Sequence, residues 1–170
     1  MSEPIINKVA ESGIITLNLE DYLPKQEVIV FDIKDYLFMG LILKEKEFRQ
    51  SLKELDLSKY KEKNVSIVCS TNAIIPMWAY MLIASTINNV ALEVIMGAPS
   101  EVINKLQLKN IQNINSEDFR DKRVVIKGCG ENPISEEAYL EITKKLLPVV
   151  KSIMYGEPCS TVPVYKKKSD

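Results

Sequence analysis

The sequence predicts an α/β protein: a mixed, mainly parallel sheet flanked by helices, with a β-hairpin near the N-terminus. Three observations carry this prediction. Short β-branched runs recur at residues 27–33, 65–69, 91–96 and 123–127, with a last one at 153–155. Between most of them lie longer segments with apolar residues at helical spacing, and such alternation favours parallel pairing through crossovers. The exception is residues 27–42, where two strand-like runs are separated only by Lys34-Asp35. That spacing predicts an antiparallel pair and makes the sheet mixed.

Taken in order, Glu3 to Ala10 fits a turn or two of helix ended by Gly13, and Ile14 to Leu17 is β-like before Leu23-Pro24 breaks the pattern. Residues 1–24 are therefore expected to form a peripheral arm. Glu27 to Ile33 is a strand and Tyr36 to Ile42 its return. From Leu43 the period changes, with Leu43, Phe48, Leu52 and Leu55 sharing a helix face. After the 65–69 strand comes a buried helix with Pro76 in its first turn, where a missing N–H costs nothing. Asn88-Asn89 ends it, and Ala91 to Met96 is the next strand. Ser100 caps a short helix through Leu106, Ile111 to Ile114 reads as a short strand, and Ser116 to Phe119 as a capped turn. Arg123 to Lys127 is a strand. Ser135 caps the last helix, which buries Ala138, Ile142, Leu146 and Val149 and kinks at Pro148. Ile153 to Tyr155 is the final strand, and residues 164–170 form a basic tail. One domain over residues 1–170 is the natural organisation for this length.

The composition, 46% hydrophobic and 26% charged, is that of an ordinary globular chain. With 22 basic against 23 acidic residues the net charge is −1, which gives no case for nucleic acid. Lys166 to Lys168 is too small a cluster for a membrane anchor. Residues 1–12 carry charges and Pro4, so no signal core forms there, and the longest apolar stretch, Ala73 to Ala84, is too short for a bilayer. A cytoplasmic protein with no membrane partner is expected. Thiols stay reduced there, and three cysteines are an odd number, so no structural disulfide is expected.

The chain has no histidine, which excludes a Ser-His-Asp triad, a Cys–His pair and histidine-ligated zinc. No phosphate-binding glycine loop and no CxxC occurs. What recurs is cysteine: Cys69, Cys129 and Cys159 each lie where a hydrophobic run gives way to a loop. On one parallel sheet all three thiols would share its carboxyl edge, where open α/β folds bind ligands. Pro76 and Pro133 then open helices, whose N-termini favour thiolate. Three thiolates suit a metal ion, either zinc or an iron–sulfur cluster, with Glu157 as candidate fourth ligand and Glu131 or Asp32 behind it. Neighbouring strands are about 4.8 Å apart, so the three thiols meet only if their strands adjoin.

Blander readings stand beside each of these. Cys69 after Val-Ser-Ile-Val fits a core, and Asp32 to Asp35 fits a turn. Trp78, Tyr80 and Met81 fit core packing. The sequence thus supports a soft-metal-binding protein first. A thiol-dependent enzyme or redox protein without metal comes second, and an interaction domain with incidental cysteines third. No residue set names a substrate, so catalysis is neither indicated nor excluded.

Several blocks together carry a resemblance: Phe31-Asp32-Ile33-Lys34-Asp35-Tyr36-Leu37-Phe38, Trp78-Ala79-Tyr80-Met81, Arg123 to Cys129, and Met154-Tyr155-Gly156-Glu157-Pro158-Cys159-Ser160-Thr161-Val162-Pro163. The chain resembles an uncharacterised bacterial family catalogued as domain of unknown function 2480. The resemblance covers nearly the whole chain and implies a stand-alone, single-domain cytoplasmic protein. It brings no catalytic role with it.

Overall fold

Apolar β-branched runs become the strands. In the computed structural model, which describes residues 13–128, 130–157 and 160–168, they are β1 (Ile14–Asn18), β2 (Val28–Asp32), β3 (Asn64–Val68), β4 (Glu93–Met96), β5 (Arg123–Lys127), β6 (Ser152–Glu157) and β7 (Ser160–Lys166). The helices among these residues are α1 (Glu45–Lys53), α2 (Met77–Ile87), α3 (Pro99–Gln112) and α4 (Glu136–Leu146). The α/β class and the mainly parallel pairing stand. The strands, however, form two sheets in two compact units, one comprising Pro24–Ile103 and the other the described residues on either side.

The Pro24–Ile103 unit holds the sheet β2-β3-β4, entirely parallel, with α1 and α2 as its crossovers. Phe31, Val65 and Ile67 from the strands pack on Phe48 and Leu52 of α1 and on Ala79, Ile83 and Ile87 of α2. The last three recur every fourth residue and so face one way. Tyr36 stacks on Phe31 at 5.1 Å, and Phe48 meets Tyr36 edge-on at 5.4 Å.

The other unit holds the order β1-β5-β6-β7, with β1, β5 and β6 parallel and β7 antiparallel to β6. Its core joins Leu17, Leu19, Val124, Ile126 and Ile153 to Ala138, Ile142 and Leu146 of α4. Gln107 of α3 is buried there, its amide donating to the Leu19 carbonyl at 2.9 Å. That bond satisfies a group that would otherwise be costly to bury.

Several expectations are corrected. The return strand over Tyr36 to Ile42 does not form, because the Asp32 side chain accepts the Lys34 N–H at 3.0 Å and turns the chain into a 3-10 turn, Ile33–Tyr36. That turn places Tyr36 on Phe31, and the antiparallel feature shrinks to one bridge, Phe38 to Ile42. Residues 14–23 are no peripheral arm: β1 pairs with β5, and Leu17 and Leu19 are buried. Nor is the tail peripheral from residue 164, since Tyr165 and Lys166 pair with Ile153 and Ser152. No strand forms at 111–114, where α3 runs on to Gln112 and buries Ile111. The last helix ends at Leu146, before Pro148, instead of kinking there. The short helix at 3–10 falls outside the described residues.

Glu62 has φ +57 while its N–H donates to the Val90 carbonyl. A side chain in that region costs about 1–2 kcal/mol, part of which glycine returns to the unfolded chain as entropy. Glu62→Gly is therefore expected to raise stability by about 0.5–1 kcal/mol, seen as a higher thermal midpoint.

Candidate functional site

β5 and β6 run side by side and parallel, with Ile126 opposite Tyr155, so the segments leaving them start at one edge of one sheet. Their last residues, Lys127 and Glu157, form an ion pair at 3.4 Å. Each stands two positions before a cysteine. Cys129 and Cys159 themselves lie outside the described residues.

The surroundings of both are tightly built. In the loop after β5, a Cβ on Gly128 would run into the Tyr139 hydroxyl and Ile134, and a Cβ on Gly130 into the Glu20 carboxylate. Glu20 comes from the 3-10 turn Leu19–Tyr22 that follows β1. Its Oε1 accepts the Asn132 N–H at 3.0 Å and the Asn132 side-chain amide at 3.4 Å. Tyr139 meets Tyr155 of β6 edge-on at 5.7 Å. The loop then enters α4, where the Ser135 hydroxyl accepts the Ala138 N–H at 3.3 Å as the cap read from sequence. After β6 the chain returns at once: Glu157 lies opposite Ser160, leaving two residues to connect them. Gly156 has φ +118, and a Cβ there would lie 2.6 Å from the Ser160 carbonyl oxygen.

Of the oxygen candidates, Glu157 is at this edge and half-exposed, and Glu131 is exposed in the same loop. Glu20 had no sequence signal beyond its place after a strand, because its partner is 112 residues away. Glu20→Ala should free the Gly130–Asn132 segment and raise its amide exchange by about tenfold, one lost charged hydrogen bond. Glu20→Gln, which keeps an acceptor, should lose less.

Cys69 and Asp32 belong to the Pro24–Ile103 unit. β3, which leads to Cys69, belongs to the three-stranded sheet, so the single shared edge that recruited three thiols is corrected. Non-local pairing decides which strands adjoin, and local pattern does not encode it. The Cys69 thiol is partly buried against the core of its unit and donates to the Thr71 carbonyl at 3.7 Å. Asp32 accepts the N–H groups of Lys34 and Ser70, the latter at 3.1 Å. Burial pushes its carboxyl up, but the Ser70 hydroxyl and these N–H groups outweigh that and hold it below the ordinary value. A lowered carboxyl stabilises the fold above the unfolded pKa and stops doing so as pH falls through the folded one. Asp32→Asn should therefore unfold more readily than the parent at pH 7, with the gap closing below about pH 4. Chemical denaturation at a series of pH values reads this directly.

Among the described residues no three Cys, Asp or Glu side chains gather as a metal-holding group. No described helix is long and apolar enough to cross a membrane.

The family model described as "Protein of unknown function (DUF2480)" matches residues 3–167, and the chain belongs to that family. No curated protein and no solved structure matches it.

Proposed function

We propose that this member of the DUF2480 family binds a soft metal through Cys129 and Cys159 at the carboxyl edge of its four-stranded sheet. The observation supporting it is the Lys127–Glu157 ion pair, whose members sit on adjacent parallel strands two residues ahead of each cysteine. Parallel neighbours about 4.8 Å apart bring such loop starts within reach of one ion. Two thiolates completed by the carboxylates of Glu157 and Glu131 match the tetrahedral preference of zinc. An iron–sulfur cluster, which favours four thiolates, is the weaker fit. An exposed ion pair is worth only about 0–1 kcal/mol, so a metal could draw Glu157 from Lys127 at small cost. Asp32 leaves the candidate ligands because its carboxylate already serves Lys34 and Ser70 in the other unit. Cys69 is assigned a packing role. The reading places the protein in the cytoplasm, where both thiols stay reduced.

The same pair also favours a second reading, a metal-free dithiol, because the Lys127 ammonium near the edge favours thiolate. Elemental analysis of anaerobically purified protein, with a visible spectrum, separates the two. The metal reading expects about one zinc per chain. Cys129→Ser and Cys159→Ser should each abolish it, and Cys69→Ser should retain it. Metal-free protein with one rapidly alkylating thiol near neutral pH supports the dithiol instead. Metal-free protein with slow thiols sinks both.

A further inference from the structure

Charge is segregated along the four-stranded sheet. Because β1, β5 and β6 are parallel and β7 is antiparallel to β6, the residues entering β5 and β6 and leaving β7 meet at one amino edge. Arg123 stands opposite Ser152, and Ser152 opposite Lys166. One step further out, the Lys151 N–H donates to the Lys122 carbonyl at 2.7 Å and the Lys167 N–H to the Lys151 carbonyl at 2.9 Å. Lys122, Lys151 and Lys167 therefore form a row across three adjoining strands, with neighbours about 4.8 Å apart. Arg123, Lys166 and Lys168 flank the row, and all six residues are exposed. Like charges on neighbouring strands cost stability, so stability does not account for this row. Over residues 117–123, 151 and 166–168, seven basic side chains stand against three acidic ones. Glu117 is held by Arg120 at 2.7 Å, and Asp121 reaches Lys167 only at 3.8 Å. Glu20, Glu131, Glu136, Glu137 and Glu157 lie around the opposite, carboxyl edge, in or next to the segments that follow β1, β5 and β6.

We propose that this basic edge binds the phosphodiester backbone of a nucleic-acid duplex without reading its sequence. A net charge of −1 over the whole chain gives no case for such a partner, but a polyanion meets the local row, with these acids at the far edge of the sheet. A row of cations at strand spacing suits a partner that is itself a dense, regular line of charge. A duplex carries one charge per about 1.7 Å of its axis, whereas an extended acidic peptide carries at most one per about 3.3 Å. Five of the six cations are lysines, which meet phosphate as point charges; arginine is the residue of bidentate base readout. The edge offers no aromatic platform for the bases of a single strand, since Phe119 and Tyr165 pack against the core of the unit. Lipid is disfavoured for a similar reason. The large hydrophobic side chains described as exposed in this unit are Leu140, Tyr155, Val162 and Val164, and none belongs to the edge segments. Nothing apolar is there to enter a headgroup layer.

Fluorescence anisotropy of the intact chain with a labelled DNA duplex of about 20 base pairs tests this. The dissociation constant should be on the order of 1–10 µM at about 50 mM salt. The logarithm of affinity should fall against the logarithm of salt with a slope of about −4.5, as for about five phosphate contacts, a loss of roughly 500-fold by about 200 mM. Combining Lys122→Gln, Lys151→Gln and Lys167→Gln should bring the slope to about −2. The matched combination Lys53→Gln, Lys59→Gln and Lys61→Gln, exposed lysines of the other unit, should leave it unchanged. Both combinations should keep the circular dichroism and the metal content of the parent, so this proposal and the metal reading fail separately. No binding up to about 100 µM protein at about 50 mM salt overturns the proposal. So does an equal loss in the two combinations. Tighter binding to poly-glutamate than to the duplex overturns it in favour of an acidic protein. Flotation with phosphatidylserine vesicles without duplex binding overturns it in favour of lipid.

Discussion

Gly156→Ala is expected to cost on the order of 3–4 kcal/mol, because two penalties coincide at one atom. The backbone at φ +118 is a conformation that L side chains rarely adopt. The new Cβ would also press on the Ser160 carbonyl oxygen, which belongs to a paired strand and cannot swing aside as a side chain would. The pairs Gly156 with Thr161 and Glu157 with Ser160 must then open. Gly40 provides the control. It too has positive φ, +73, but nothing lies within 4 Å of a Cβ built there. Gly40→Ala should cost only about 1–2 kcal/mol. Thermal and denaturant unfolding of both variants measures the difference, and faster amide exchange along β7 would localise it. Equal losses at the two sites would show that φ alone matters and that the close approach to Ser160 does not. Under the metal reading, Gly156→Ala should also lower metal content with both thiols intact.

Phe31→Ala should cost about 3–5 kcal/mol, the range for removing a fully buried aromatic ring. Phe31 is 2% exposed, stacked on Tyr36 and 6.3 Å from Tyr60, and it belongs to the Pro24–Ile103 core. Its ring fills space that neighbouring strands cannot collapse into, so a cavity term adds to the lost transfer energy. Amide exchange should accelerate first in β2, β3 and β4. Equal acceleration across β1, β5 and β6 would show that the two cores unfold as one. Because the core of the other unit is built on Ile142 and Leu146, Ile142→Ala is the matching probe there, at about 2–5 kcal/mol.

Much of the local structure was legible in the chain. The run of β-branched residues at 123–127 became β5 at the same bounds, and Ser135 became the cap of α4 with the face Ala138, Ile142 and Leu146 turned inward. Strand propensity, helical period and capping chemistry all act over a few residues, and so they can be read in order. The misreadings share a cause as well. Tyr36 to Ile42 has strand composition, but the Lys34 N–H donating to the Asp32 side chain and one ring stacked on Phe31 decide its path. Ile14 to Leu17 looked peripheral because its partner, β5, lies more than 100 residues downstream.

The candidate site divides along the same line. By itself the sequence determined that this chain has no histidine, that its cysteines stand at the ends of apolar runs, and that Gly128, Gly130 and Gly156 flank two of them. Only the tertiary structure decided that β5 and β6 adjoin while β3 belongs to another sheet, and that Glu20 crosses to Asn132 beside the cysteine loop. Cysteine position follows from local hydrophobic pattern. Which strand ends become neighbours follows from the burial of whole faces against one another, and no short stretch of the chain contains that information.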